Sequence, residues 1–206
     1  IGPNGRGKST VIKCISRVPR RSSGEIGLGG ETLPHLDAAA VARRGITRSF
    51  QTPQLFSRLS VIDNVRVAHQ RQRRARLRVD DLLELVGLTE VAHHQAENLA
   101  YGQQRLLEVA RALASSPRLL LLDEPAAGLA SEDTERLSRL LKLIVTQFGV
   151  AVMIVEHNVP LVRRVADRIS VMHHGLVIAT GAPDDVLNDP AVIAAYLGGG
   201  NPSTEH

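Results

Sequence analysis

The chain has 206 residues, 43% of them hydrophobic and 22% charged, with a mean hydropathy of −0.03. That composition suits one domain, or one domain with an inserted lobe, around a core of its own, and it excludes wholesale disorder. A single cysteine excludes an internal disulfide, 2% aromatic residues give few platforms for stacking single-stranded nucleic acid, and no apolar run nears the roughly 18 residues of a membrane span.

The predicted elements alternate between helix and strand. A helix is expected over Lys8 to Ser16, directly after a glycine-rich loop. Short strands follow at Gly24 to Leu28 and Ile46 to Phe50, with an alanine-rich helix over Asp37 to Arg43 between them. Ser60 to Ala68 and Val79 to Val86 read as short helices on either side of an arginine run, Arg71, Arg73, Arg74, Arg76 and Arg78. The run is either a solvated face or a site for an anionic partner. Gln103 to Ser115 reads as an amphipathic helix, with Leu106, Val109, Ala110 and Leu113 on one face and Arg105, Glu108 and Arg111 on the other.

Leu119 to Leu122 is apolar at every residue, as in a parallel strand covered on both faces. Ser131 is expected to cap a long helix whose stripe is Leu137, Leu140, Leu141, Ile144, Val145 and Phe148, and Gly149 ends it. Val150 to Val155 is a second buried strand, followed by a helix over Asn158 to Val165. Ile169 to Met172 and Leu176 to Ala179 read as a hairpin, and two short helices start near Pro183 and Pro190. The glycine-rich tail that follows reads as mobile. The fold expected from this order is α/β with a largely parallel sheet.

Gly2, Gly7, Lys8 and Ser9 satisfy the spacing G-x-x-x-x-G-K-S/T. Glycines let successive amides point at phosphate oxygens, and the following helix adds its positive end. Lys8 supplies a point charge to the β- and γ-phosphates, and the Ser9 hydroxyl can ligate Mg²⁺. Asn4, Gly5 and Thr10 belong to the same cradle. Such a loop normally follows a buried strand, so the sequence reads as lacking one or more N-terminal strands. Asp123 and Glu124 end the apolar strand opposite the loop, where open α/β sheets bind ligands. Asp123 is expected to hold Mg²⁺ through water and Glu124 to polarise the attacking water.

The segment LAYGQQRLLEVARAL, Leu99 to Leu113, resembles the signature motif of ATP-binding cassette (ABC) ATPases. Gln51 in RSFQTPQLF resembles the Q-loop, Gly128 and Leu129 the D-loop, and His157 in IVEHN the switch histidine, all in the family's order. ITRSFQTPQLFSRLSVIDNV, DEPAAGL and DDVLNDPAVIAAYLG are similar to the ATP-binding subunits of branched-chain amino acid importers. The resemblance implies a nucleotide-binding core over 1–50 and 117–206 and a helical signature lobe over 51–116. It implies Glu124, His157 and Gln51 as catalytic residues. Ser9, Gln51 and Asp123 would serve Mg²⁺. Ala100, Tyr101, Gly102 and Gln103 would bind the ATP held by a second ATPase subunit. It also implies permease subunits as partners, no nucleic acid, and a peripheral place on the cytoplasmic face of a membrane. Two alternatives stand beside this importer reading: a non-hydrolysing remnant of such a subunit, and an ABC-type ATPase acting on nucleic acid.

The sequence departs from the family at Arg6, where a small residue is usual, at Ala100 in place of serine, at Ala130 in place of Asn or Asp, and in a shortened stretch between Gln51 and Leu99. Arg6 carries a permanent charge and five donors; it is expected either to reach a phosphate oxygen, adding ground-state binding without helping the transition state, or to clash with the signature helix of a second subunit, and either route predicts weak hydrolysis. With an upstream strand restored, Arg6→Ala is expected to raise steady-state phosphate release at saturating ATP by about tenfold; an unchanged or lower rate would make Arg6 harmless or useful. The pairs His93–His94 and His173–His174 are expected to diverge, with no Cys/His spacing for a metal. Cys14 reads as a small, buried residue of the first helix.

Overall fold

A computed structural model describes residues 1–2, 7–16, 23–33, 37–49, 52–70 and 77–197. Its centre is a parallel sheet of β3 (Ile46–Arg48), β4 (Leu119–Asp123) and β5 (Ala151–Val155), in that order. Two small antiparallel hairpins flank it, β1–β2 (Gly27–Leu28 and Glu31–Thr32) and β6–β7 (Ile169–His173 and Leu176–Gly181). The first strand expected from sequence is thus reduced to two residues, and it pairs with a strand the sequence did not suggest.

The period of a strand explains the leucine run. Leu121 faces a cluster with Ile12, Val41, Ile46 and Val155, beneath α1 (Lys8–Ile15) and α2 (Ala38–Arg43). Leu120 and Leu122 point the other way, into the main core, and all three side chains are fully buried. Successive residues of a strand face opposite sides, so a strand covered on both faces cannot alternate in hydropathy.

That main core is shared. Val61 and Val65 of α3 (Val61–His69), Leu82 and Leu83 of α4 (Val79–Leu85), and Leu106 and Leu107 of α5 (Tyr101–Ala114) pack in one cluster with Leu137, Leu141 and Ile144 of α6 (Ser131–Phe148). The helices of the expected signature lobe therefore share their apolar interior with β4 and α6. The C-terminal unit has a smaller core in which Val162 of α7 (Val159–Val165) meets Ile169, Val171, Val186 and Val192. The last two come from α8 (Pro183–Leu187) and α9 (Pro190–Leu197), which start at the expected prolines.

Several local expectations need correction. Arg105 and Glu108 do not face solvent: they form a buried pair at 3.2 Å, with side chains 3% and 5% exposed. Pairing at i, i+3 neutralises both charges and makes burial tolerable. Arg111 is half-buried over the Phe56 ring, 5.4 Å from its centroid, and burial pushes its guanidinium pKa down. Val145, at the margin of the α6 stripe, is exposed. Ser131 is the first residue of α6 and not its cap. The cap is Ala130, which has no acceptor for the first-turn amides, a deficit of about 1 kcal/mol against Asn or Asp. His173 and His174 do not diverge; a left-handed backbone at His174 (φ 48°) sets their rings edge to face, 4.2 Å apart. Among the described residues, no three His, Cys, Asp or Glu side chains gather as a metal site, and no helix is long and apolar enough to cross a membrane. Cys14 is partly exposed. Of the arginine run, only Arg78 lies within the described residues, and the tail from 198 onward lies outside them.

Candidate functional site

The site forms where β4 and β5 end and α1 begins. In register, Asp123 pairs with Val155, so the residues after each strand leave the sheet side by side. The last backbone–backbone hydrogen bond between the two segments runs from the Glu124 N–H to the Val155 carbonyl, 2.8 Å. Lys8 and Ser9 open α1 above this edge, with Gly7 as N-cap.

Ser9 Oγ donates to Asp123 Oδ1 at 2.8 Å, and Arg48 Nη2 donates to Asp123 Oδ2 at 3.1 Å. Asp123 is thereby buried with both oxygens engaged. Lys8 is also buried, and its Nζ donates to the Gly2 carbonyl at 2.6 Å. Desolvation pushes the Lys8 pKa down, while Glu124 and Asp123 oppose the shift. A positive charge held near two carboxylates at the start of an eight-residue helix suits a polyphosphate. The oxygen pair of Ser9 and Asp123 suits a hard divalent cation that keeps several waters. The donor set therefore fits a nucleoside triphosphate with Mg²⁺.

Glu124 adopts a left-handed backbone (φ 48°), rare for a residue with a side chain. Its side chain is only 14% exposed and places Oε1 3.8 Å from Nδ1 of His157, whose ring is half exposed. Gly2 shows why the loop starts with glycine. Its φ is 144°, and a Cβ there would lie 2.1 Å from the Met172 carbonyl oxygen. That neighbour is backbone of β6, which cannot step aside.

The residues from Ala100 to Gln103 sit apart from this cluster, at the start of α5. The helix begins at Tyr101, two residues earlier than expected, because the Gln103 side chain folds back and accepts a hydrogen bond from the Ala100 N–H at 3.1 Å. Gly102 faces the Asp133 carboxylate, and the Tyr101 ring packs beside Gly128. The signature turn is thus braced by the loop that follows Glu124 and by the first turn of α6.

Lys8, Ser9, Asp123, Glu124 and His157 therefore come together as expected, and Gly2 and Gly7 flank the loop. Thr10 is exposed on α1. Asn4, Gly5, Arg6 and Gln51 lie outside the described residues. Sequence reasoning missed two contributors. In the sequence Arg48 is simply a residue of a short strand, and Glu156 the neighbour of His157. Glu156 is fully buried, and its carboxylate accepts from the backbone N–H groups of Ala126, His157 and Asn158. A charged residue directly after an apolar strand marks the position, but nothing in the sequence names its backbone partners.

The family profile described as ABC transporter matches residues 1–127, and one described as Branched-chain amino acid ATP-binding cassette transporter matches residues 177–201. The chain is 39% identical to the high-affinity branched-chain amino acid transport ATP-binding protein LivG of Salmonella typhimurium, over 96% of this chain and 85% of that protein. It is 38% identical to the protein BraF of Pseudomonas aeruginosa, which carries the same description, with the same coverage. Among solved structures, the ADP conformation of an ATP-binding cassette of an ABC transporter superposes with a TM-score of 0.84 at 29% identity, covering 96% of this chain and 86% of that one. A dimeric, post-hydrolysis ATP-binding cassette bound to ADP and Pi superposes with a TM-score of 0.77 at 28% identity, covering 88% and 83%.

Proposed function

We propose, since the chain belongs to the ABC transporter family and is an ATPase of that type, that it powers an importer of branched-chain amino acids by hydrolysing ATP between two closing subunits. The observation that carries the hydrolytic part is the convergence of Lys8, Ser9, Asp123, Glu124 and His157 on one sheet edge. The solute rests on the likeness to LivG and BraF and on the C-terminal match.

In this reading backbone N–H groups of the loop that leads into α1, Pro3 excepted, and the Lys8 ammonium hold the β- and γ-phosphates. Ser9, Asp123 and Gln51 would hold Mg²⁺, which supplies charge neutralisation on the phosphates when bound. Glu124 accepts a proton from water as the water oxygen attacks the γ-phosphorus. The bond from that phosphorus to the β–γ bridging oxygen breaks, leaving ADP and inorganic phosphate. His157 orients the water and contacts the γ-phosphate. Ala100 to Gln103 complete the site on the other subunit, where the start of α5 offers amides to the γ-phosphate. Ala100 lacks a hydroxyl for this, so backbone donors carry the contact. Closure on ATP and reopening after phosphate release then drive the transporter from its cytoplasmic side.

The permease is proposed to dock between Thr52 and Ala68. Phe56, Leu59 and Val67 there are all exposed apolar side chains. Phe56, Val67 and Ala68 line a cleft of about 700 Å³ together with Val41 and Ala42 of α2. The test is site-specific crosslinking in membranes containing the cognate permease. Crosslinks are expected from Phe56, Leu59 and Val67. Crosslinking only through the hairpin near Gly175, or binding to DNA in place of membrane subunits, would overturn the assignment.

A further inference from the structure

Glu156 is a charged side chain with no exposed surface, and the chemistry above leaves it unused. Removing a carboxylate from water costs several kcal/mol unless its lone pairs are satisfied. Here they are satisfied by backbone. Oε1 accepts from the Ala126 N–H at 2.8 Å; Oε2 accepts from the His157 N–H at 3.1 Å and the Asn158 N–H at 3.2 Å. Bonds from N–H groups to an ionised carboxylate are stronger than neutral ones and fix direction at both ends.

The two oxygens serve two different loops. Ala126 lies two residues after Glu124, in the turn leaving β4, and His157 leaves β5. The ladder between these strands ends at Asp123 and Val155, so beyond Glu124 the two loops part. Glu156 bridges them at the point where their spacing sets the Glu124–His157 distance. That distance is 3.8 Å, just beyond hydrogen-bond reach, so a shift of a few tenths of an ångström decides whether the two side chains act on one water.

We propose that Glu156 is a positioning residue: its carboxylate clamps the loop of His157 to the turn after Glu124 and so sets the geometry of the hydrolytic pair. The proposal rests on the ATPase reading for its consequence, though not for the clamp itself. A carboxylate is needed because all three partners are donors. Glutamine has the same shape but presents an NH₂ to one of them, opposing donor to donor and opening one arm.

Glu156→Gln is expected to lower kcat by about 10- to 100-fold, as a small misplacement of reacting groups does, with KM and directly measured ATP binding within about twofold. In a His157→Ala background the same change is expected to cost less than about twofold, because coupled positions are not additive. Glu156→Asp keeps the charge but is one methylene shorter, and is expected to fall between wild type and Gln; it also serves if the Gln variant folds poorly. Amide exchange followed by NMR reads the clamp without turnover. Exchange at Ala126, His157 and Asn158 is expected to rise by about tenfold in Glu156→Gln, with Leu121 and Met153 unchanged. A kcat at the wild-type level, additivity with His157→Ala, or exchange raised uniformly across β4 and β5 would each overturn the proposal. Absence of turnover in the wild-type protein would instead overturn the ATPase reading, and the exchange measurement would then decide the clamp alone.

Discussion

Glu124→Gln is expected to lower ATP hydrolysis by about 10²–10⁴-fold while leaving ATP binding intact. The substitution keeps the shape of a side chain that is only 14% exposed and removes its ability to accept the proton of water. It also removes a negative charge close to Lys8, which raises the ammonium's pKa in the native protein. ATP-dependent dimerisation is therefore expected to persist, or to strengthen because the closed state no longer resolves. Phosphate release and sedimentation of the ATP-bound protein test both halves. Hydrolysis at the wild-type rate with Gln at 124 would exclude Glu124 as the base.

Asp123→Asn is expected to have two separable effects. It removes the charge that faces Arg48 in a pair whose side chains are 12% and 3% exposed. Breaking such a pair from one side costs on the order of 3 kcal/mol, because the remaining charge stays poorly solvated. For a domain of this size that lowers Tm by about 6–12 °C. It also weakens the oxygen pair that Ser9 and Asp123 present to a cation, so hydrolysis is expected to fall by about 10²-fold or more. Pairing Asp123→Asn with Arg48→Met is expected to recover most of the stability and none of the hydrolysis. An unchanged Tm in the single variant would mean the pair contributes nothing to folding; recovered hydrolysis in the double variant would remove Asp123 from the chemistry.

How much of this was legible in the sequence differs from residue to residue. Leu119 to Leu122 disclosed its parallel strand, because burial on both faces erases alternation. The gathering of Lys8, Ser9, the acidic pair and His157 at one sheet edge was legible because each sits at a fixed offset from an element with a strong pattern. Arg105 and Glu108 misled because hydropathy weighs residues one at a time and cannot see two charges cancelling inside a helix. Ser131 misled for a related reason: the capping position is fixed by where the backbone turns, and the turn places Ala130 there. Glu156 was out of reach because its first partner, Ala126, is 30 residues away. No local pattern announces a side chain that bonds to backbone across a sheet edge.

The left-handed backbone at Glu124 sets the interests of folding against those of catalysis at one position. A side chain in that conformation costs on the order of 1 kcal/mol, which Gly or Asn would largely recover. A variant library sorted for heat resistance would therefore drift toward Gly or Asn at 124 and discard the carboxylate. Ranking variants of this protein by melting temperature alone would reward the loss of turnover, and only a screen that counts released phosphate would keep Glu at that position.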